Sequence, residues 1–125
     1  RQKMNVNFNS TNFGAKIAST KQKYQLEQIF QDVYKKQMFS YMNFKQFQDE
    51  IQKKIPSDKD IVVFTRADMS DDKNFCQYAG YVLHDNKFGR FASSTPVICG
   101  TDRMAQDILS EISEGIRRAN TKNNH

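Results

Sequence analysis

The residues of this chain whose types and placement could do chemistry are Asn9, Asp71, Asp72 and Asp102. Asn9 and Asp102 fall at or just after the ends of predicted strands, and Asp71 and Asp72 open the helix between two of them. That edge is where function collects in parallel α/β sheets. Carboxylates that converge at a sheet edge are costly to ionise unless cations are present, so such clusters take Mg²⁺ or Mn²⁺ through hard oxygen ligands. A pair of these ions activates a water and stabilises the leaving oxygen in phosphodiester cleavage. The same three aspartates also have a plainer role, because helix N-termini attract carboxylates through the helix dipole. Asn12 follows the first strand, Lys16, Lys21 and Lys23 lie just beyond it, and Arg66 and Arg103 stand at strand ends. These five cations are candidates for contact with phosphate, with solvated surface charge as the alternative.

The elements that must position these residues follow from periodicity. Met4, Val6 and Phe8 alternate with Asn5, Asn7 and Asn9, which predicts a first strand, and residues 10–14 read as a loop. Leu26, Ile29, Phe30, Val33 and Tyr34 predict a helix within Thr20–Met38. Asn43 caps a second helix with the stripe Phe44, Phe47, Ile51 and Ile55, and Pro56 forbids its continuation. Asp60–Thr65 is a strand whose Ile61–Phe64 are all apolar, as expected where helices cover both faces of a sheet. Ser70, Asp71 and Asp72 read as a helix start, with Phe75, Tyr78, Ala79, Val82 and Leu83 at helical spacing up to residue 84. Residues 84–95 read as an exposed loop with room for a short hairpin, Pro96–Cys99 as a strand, and Thr101 or Asp102 begins a last helix. The expected fold is therefore α/β, a parallel sheet flanked by helices, in one domain over residues 1–118 with a polar tail at 119–125.

Composition sets bounds on function. The 125 residues suit a single core, and the longest apolar run, Ile61–Phe64, is far short of the roughly 20 residues of a membrane-spanning helix. The expected location is intracellular, cytoplasmic or organellar. The net charge of +5 is all N-terminal: residues 1–26 hold five basic side chains and no acid, and the remaining 99 hold 14 of each sign. That asymmetry suits contact with phosphate or an anionic surface. Cys76 and Cys99 are expected to be reduced.

Three segments together resemble the PIN-like NYN metallonucleases, nearest in motif to protein-only RNase P and the Regnase ribonucleases. Asn7-Phe8-Asn9-Ser10-Thr11-Asn12-Phe13 is similar to their first strand and Asp-x-x-Asn motif, Ser70-Asp-Asp-Lys-Asn-Phe-Cys-Gln-Tyr-Ala79 to their Asp-Asp helix, and Val97-Ile-Cys-Gly-Thr-Asp-Arg-Met104 to their third acidic strand end. The resemblance implies that Asp71, Asp72 and Asp102 bind Mg²⁺ or Mn²⁺ and orient the attacking water, with Asn12 beside the first metal ligand. Two departures weaken that site: Asn9 replaces the first-strand aspartate, and Gln106 replaces an acid, with Asp107 one position late. An amide oxygen still coordinates a hard cation but brings no charge. The implied function is an endoribonuclease of weakened or lost activity; the alternative is a noncatalytic pseudonuclease or interaction subunit of a larger RNA–protein assembly.

Other motifs carry less. Val62–Asp68 resembles the guanine-binding element of GTPases, but no Gly-Lys-Ser/Thr phosphate loop accompanies it. His84 and Asp85 lack a third group to orient them toward Cys76, and the cysteines are not in zinc-ligand spacing.

Overall fold

The computed structural model of the protein describes residues 14–122. Asn9 and Asn12, and the strand expected at residues 4–9, lie outside the described residues.

The chain begins with a two-residue strand, β1 (Lys16–Ile17), followed by α1 (Lys21–Lys36) and α2 (Phe44–Lys54). Thr20 starts α1 by accepting the Lys23 N–H at 3.1 Å, and the helix buries Leu26, Ile29, Phe30 and Val33 along one stripe. Asn43 and Gln46 form a reciprocal capping box at 2.9 and 2.8 Å. Phe30 stacks on Phe47 at a centroid distance of 5.0 Å and meets Phe44 edge-on at 5.4 Å, which joins the two helices. Three strands follow, β2 (Ile61–Met69), β3 (Phe75–His84) and β4 (Lys87–Pro96), then a single 3₁₀ turn at Val97–Cys99 and α3 (Gly100–Lys122).

The sheet corrects the expected fold class. Its order is β1-β2-β3-β4, with β1 parallel to β2 but β2, β3 and β4 an antiparallel meander, so the sheet is mixed rather than parallel. The helices do not flank it on both sides. Val62, Phe64, Ala67, Cys76, Tyr78, Val82, Phe91 and Thr95 are buried on one face, in one core with the apolar stripes of all three helices. Among the described residues the opposite face has no helix over it. Alternation predicts that arrangement for antiparallel strands, which can leave one side to water.

The error arises at residues 70–99. Tyr78 and Val82 satisfy a period of four and a period of two equally, so the predicted helix is instead strand β3, with Cys76, Tyr78, Gly80 and Val82 turned inward. Gly80 belongs there for a steric reason, because a Cβ would lie 2.0 Å from the Val63 carbonyl oxygen. Asp85 and Asn86, both at positive φ (50° and 63°), make a two-residue turn between the paired His84 and Lys87. The expected loop at 84–95 is thus largely β4. Pro96 ends that strand, and Val97–Cys99, read as a strand, is the 3₁₀ turn. Arg66 and Asp68 lie inside β2, which runs on to Met69 through a bulge near Thr65. α3 extends to Lys122 and buries Ala119, taking in residues assigned to the tail.

One polar pair closes the core where β2 begins. Asp60 is 2 % exposed, and His84 Nδ1 lies 2.8 Å from its carboxylate, while His84 Nε2 is 3.4 Å from Asp85. His84→Ala leaves a buried carboxylate without this partner and is expected to cost about 3 kcal/mol in urea unfolding. Asp60→Asn keeps an acceptor for the ring and is expected to cost about 1 kcal/mol. The opposite order would show that the pair does not carry the site.

Among the described residues no helix is long and apolar enough to cross a membrane. Cys76 and Cys99 are free thiols, and burial pushes Cys76 up to about 12, so it is a neutral core residue rather than a nucleophile.

Candidate binding face

The three aspartates of the anticipated metal site are each placed, but not together. Asp71 and Asp72 stand exposed in the β2–β3 turn rather than at a helix start. Asp72 accepts the Ser70 hydroxyl at 2.7 Å and the Asn74 N–H at 3.0 Å, bonds that hold its carboxyl below the usual range. The Ser-Asp-Asp run that resembles a helix N-terminus is therefore a turn closed by its own side chains. Asp102 does lie in the first turn of α3, but it faces the α1–α2 loop: its Oδ1 accepts the Tyr41 N–H at 2.7 Å and the Met42 N–H at 3.0 Å. Among the described residues no group of three or more His, Cys, Asp or Glu is placed to hold a metal ion. Asp72 is held within the β2–β3 turn and Asp102 against the α1–α2 loop, so among the described residues the acids that the resemblance implies are not brought into one group.

This assignment separates the two roles of Asp102. Asp102→Ala removes the acceptor of two amides and is expected to cost about 2 kcal/mol in thermal or urea unfolding. Asp102→Asn retains Oδ1 and is expected to cost under about 1 kcal/mol. Equal losses for both variants would contradict a clamp made by one oxygen.

The cations divide as well. Lys21 and Lys23 lie in the first turn of α1. Arg103 is paired with Asp107 at 3.1 Å, and that carboxylate also accepts the Thr95 hydroxyl at 2.9 Å. Only Lys16 and Arg66 reach the uncovered face of the sheet, where Arg66 bonds Asp68 at 3.1 Å and Gln77 at 2.9 Å.

Residues paired across strands share a face, so the rows of the open face can be read from the register. Lys16, Ile61, Leu83 and Phe88 form the row at one end, Val63, Tyr81 and Arg90 the next, then Arg66, Ala79 and Ala92, and then Asp68, Gln77 and Ser94. Tyr81 and Phe88 meet edge to face at 5.6 Å, with Phe88 53 % exposed. With Thr65, Gly80 and Arg90 they line a shallow depression of about 350 Å³. Its walls are two aromatic rings, a guanidinium and a hydroxyl, a set that receives a flat, polar-edged group. Arg118, from α3, reaches the same edge and donates to the Arg90 carbonyl at 2.7 Å, so a second guanidinium borders β4.

Tyr81, Phe88, Arg90 and Thr65 are not among the residues singled out from sequence. Their signal was present as alternation on either side of Asp85-Asn86, a turn dipeptide. Compared with protein-family models, with curated proteins and with solved structures, the chain matches none.

Proposed function

We propose that the chain is a noncatalytic binding domain that takes single-stranded nucleic acid, RNA first, across the open face of its sheet. The observation that carries this reading is the Tyr81–Phe88 pair beside Arg90 on a sheet face that none of the described helices covers. Bases of a single strand stack on aromatic rings and on guanidinium planes, and a sheet face offers such platforms side by side. Arg66, Arg90 and Lys16 against Asp68 leave the face net positive, and Arg118 continues the positive edge along the phosphate path. Cleavage is no part of this reading, since Asp72 and Asp102 accept backbone amides and the acids are not gathered among the described residues.

The test is fluorescence anisotropy with a labelled 12-nucleotide single-stranded RNA, a DNA of the same sequence and an RNA duplex. The expected result is binding of the single strands in the range of about 1–100 µM at physiological salt. The plot of log K against log salt should have a slope near −2, as for two or three neutralised phosphates at about −0.7 each, and Arg90→Ala should flatten it by about 0.7. Tighter binding of the duplex than of either single strand, or no binding at several hundred µM, overturns the reading.

A further inference from the structure

We propose that the groove between β1, the start of α1 and one side of α2 binds a small phosphomonoester of a sugar or polyol. The groove shares only Lys16 with the open sheet face and does not rest on the nucleic-acid reading. Its volume is about 500 Å³, within the range of small-ligand clefts, and Lys16, Lys23 and Lys45 line it from three separate elements. Asp49 also lines it and lies 3.7 Å from Lys45, so three lysines against one aspartate leave the described lining with a net charge of +2.

Two of these lysines stand where stability alone disfavours them. Lys23 lies in the first turn of α1 and Lys45 in the first turn of α2, neither helix has an acid there, and the helix dipole opposes cations at that end. Lys23 is also half-buried, with its Nζ 5.8 Å from the centre of the Tyr24 ring, and it has no carboxylate partner among the described residues. A partly desolvated ammonium ordinarily pairs. The positive ends of two helices and three ammonium groups thus bear on one depression, and an anion held there offsets both.

The rest of the lining is directional. Gln48 and Gln52 are half-buried and share the Lys45 stripe of α2, and a carboxamide both donates and accepts, which suits hydroxyl groups. The Lys16 and Ala18 N–H groups donate to the Asp60 and Val62 carbonyls at 3.3 and 2.8 Å, so the Ile17 N–H between them points away from β2 and adds a backbone donor at this rim. Charge and shape together favour a terminal phosphate over the diester of a nucleic-acid strand. A monoester carries close to two charges on three accepting oxygens, whereas each diester phosphate carries one charge and its strand continues on both sides. Lysines that approach from three elements enclose such an end group, and the polyol body then reaches the carboxamides.

Isothermal titration calorimetry of the full chain at constant ionic strength tests this, with ribose 5-phosphate, ribose and inorganic phosphate as probes. The expected result is binding of ribose 5-phosphate with a Kd on the order of 0.1–1 mM, inorganic phosphate about threefold weaker or more, and no binding of ribose. Lys23→Met and, separately, Lys45→Met should each weaken ribose 5-phosphate about tenfold, as loss of one charge-assisted bond does. Gln48→Ala should weaken ribose 5-phosphate about threefold and leave inorganic phosphate unchanged. Both lysine variants should melt at or above the parent's temperature by circular dichroism, because each removes a cation from a helix start, so a loss of binding is not a loss of fold. No binding at about 20 mM ribose 5-phosphate, or an affinity that both lysine variants leave unchanged, overturns the proposal. So does inorganic phosphate as tight as ribose 5-phosphate. Displacement of ribose 5-phosphate by a single-stranded RNA without terminal phosphates overturns it too, since the groove would then belong to a strand path.

Discussion

Gly89→Ala is expected to abolish the folded state, or to lower its stability by about 4 kcal/mol or more, measured by circular dichroism melts and urea titration. A Cβ at Gly89 would stand 1.5 Å from the Gly115 carbonyl oxygen and 2.5 Å from its carbonyl carbon. Both are backbone atoms of α3, so no side chain can swing away. The helix cannot retreat as a body either, since Met104, Ile108 and Ile112 along it are fully buried in the core. Gly115→Ala supplies the contrast. Its Cβ would lie 3.1 Å from the Gly89 oxygen and from Val82 Cγ2, a tight fit rather than an overlap. Alanine also gains about 1 kcal/mol of helix propensity over glycine. That variant is therefore expected to stay within about 1 kcal/mol of the parent. Equal tolerance at both positions would contradict the close approach of β4 and α3.

The second large effect concerns binding. Tyr81→Ala with Phe88→Ala is expected to weaken single-strand RNA binding about 100-fold, from the roughly 1–3 kcal/mol that one stacked base contributes on an aromatic ring. The fold should survive, because Phe88 is half-exposed and neither ring belongs to the buried core. Lys21→Ala and Arg103→Ala are the controls. Lys21 lies on α1 and Arg103 is bonded to Asp107, away from the open face, so each should change affinity less than about twofold. An undiminished double variant, or a larger loss from Lys21 or Arg103, would move the site to the helix side.

Several elements were legible in the sequence because their signals are local. The capping box at Asn43 and the stripes of α1 and α2 need only residues three or four apart, and apart from the exposed Tyr34 they lie where spacing places them. The strand that opens at Ile61 was also legible, although its continuous apolar run suggested a parallel sheet. In fact Ile61 and Val63 face the open side while Val62 and Phe64 face the core. The stretch from 70 to 99 carries cues that serve two structures. Ser70, Asp71 and Asp72 suit a helix start as well as a tight turn, and Tyr78 and Val82 fit both periodicities. The choice is made by partners far along the chain: Val82 pairs with Val62 and Gly89. One displaced helix then changes the class, since removing it turns a strand-helix-strand crossover into a meander.

The same distance limit hid the site. Asp102 was identified at a helix start, but its partners are amides 60 and 61 residues away. The aromatic pair on the open face joins Tyr81 to Phe88 across a turn that local sequence signals place at the start of a loop. Two of the cations singled out from sequence, Lys16 and Arg66, do stand on that face.

The most direct test of the account is amide chemical-shift mapping of the isotopically labelled chain during titration with unlabelled single-stranded RNA. The predicted result is a contiguous set of shifts on β2, β3 and β4 centred on Thr65, Tyr81, Phe88 and Arg90, saturating with one midpoint, while α1 and α2 stay unperturbed. Shifts centred on the β2–β3 turn and the start of α3, or no shifts at saturating RNA, would contradict it.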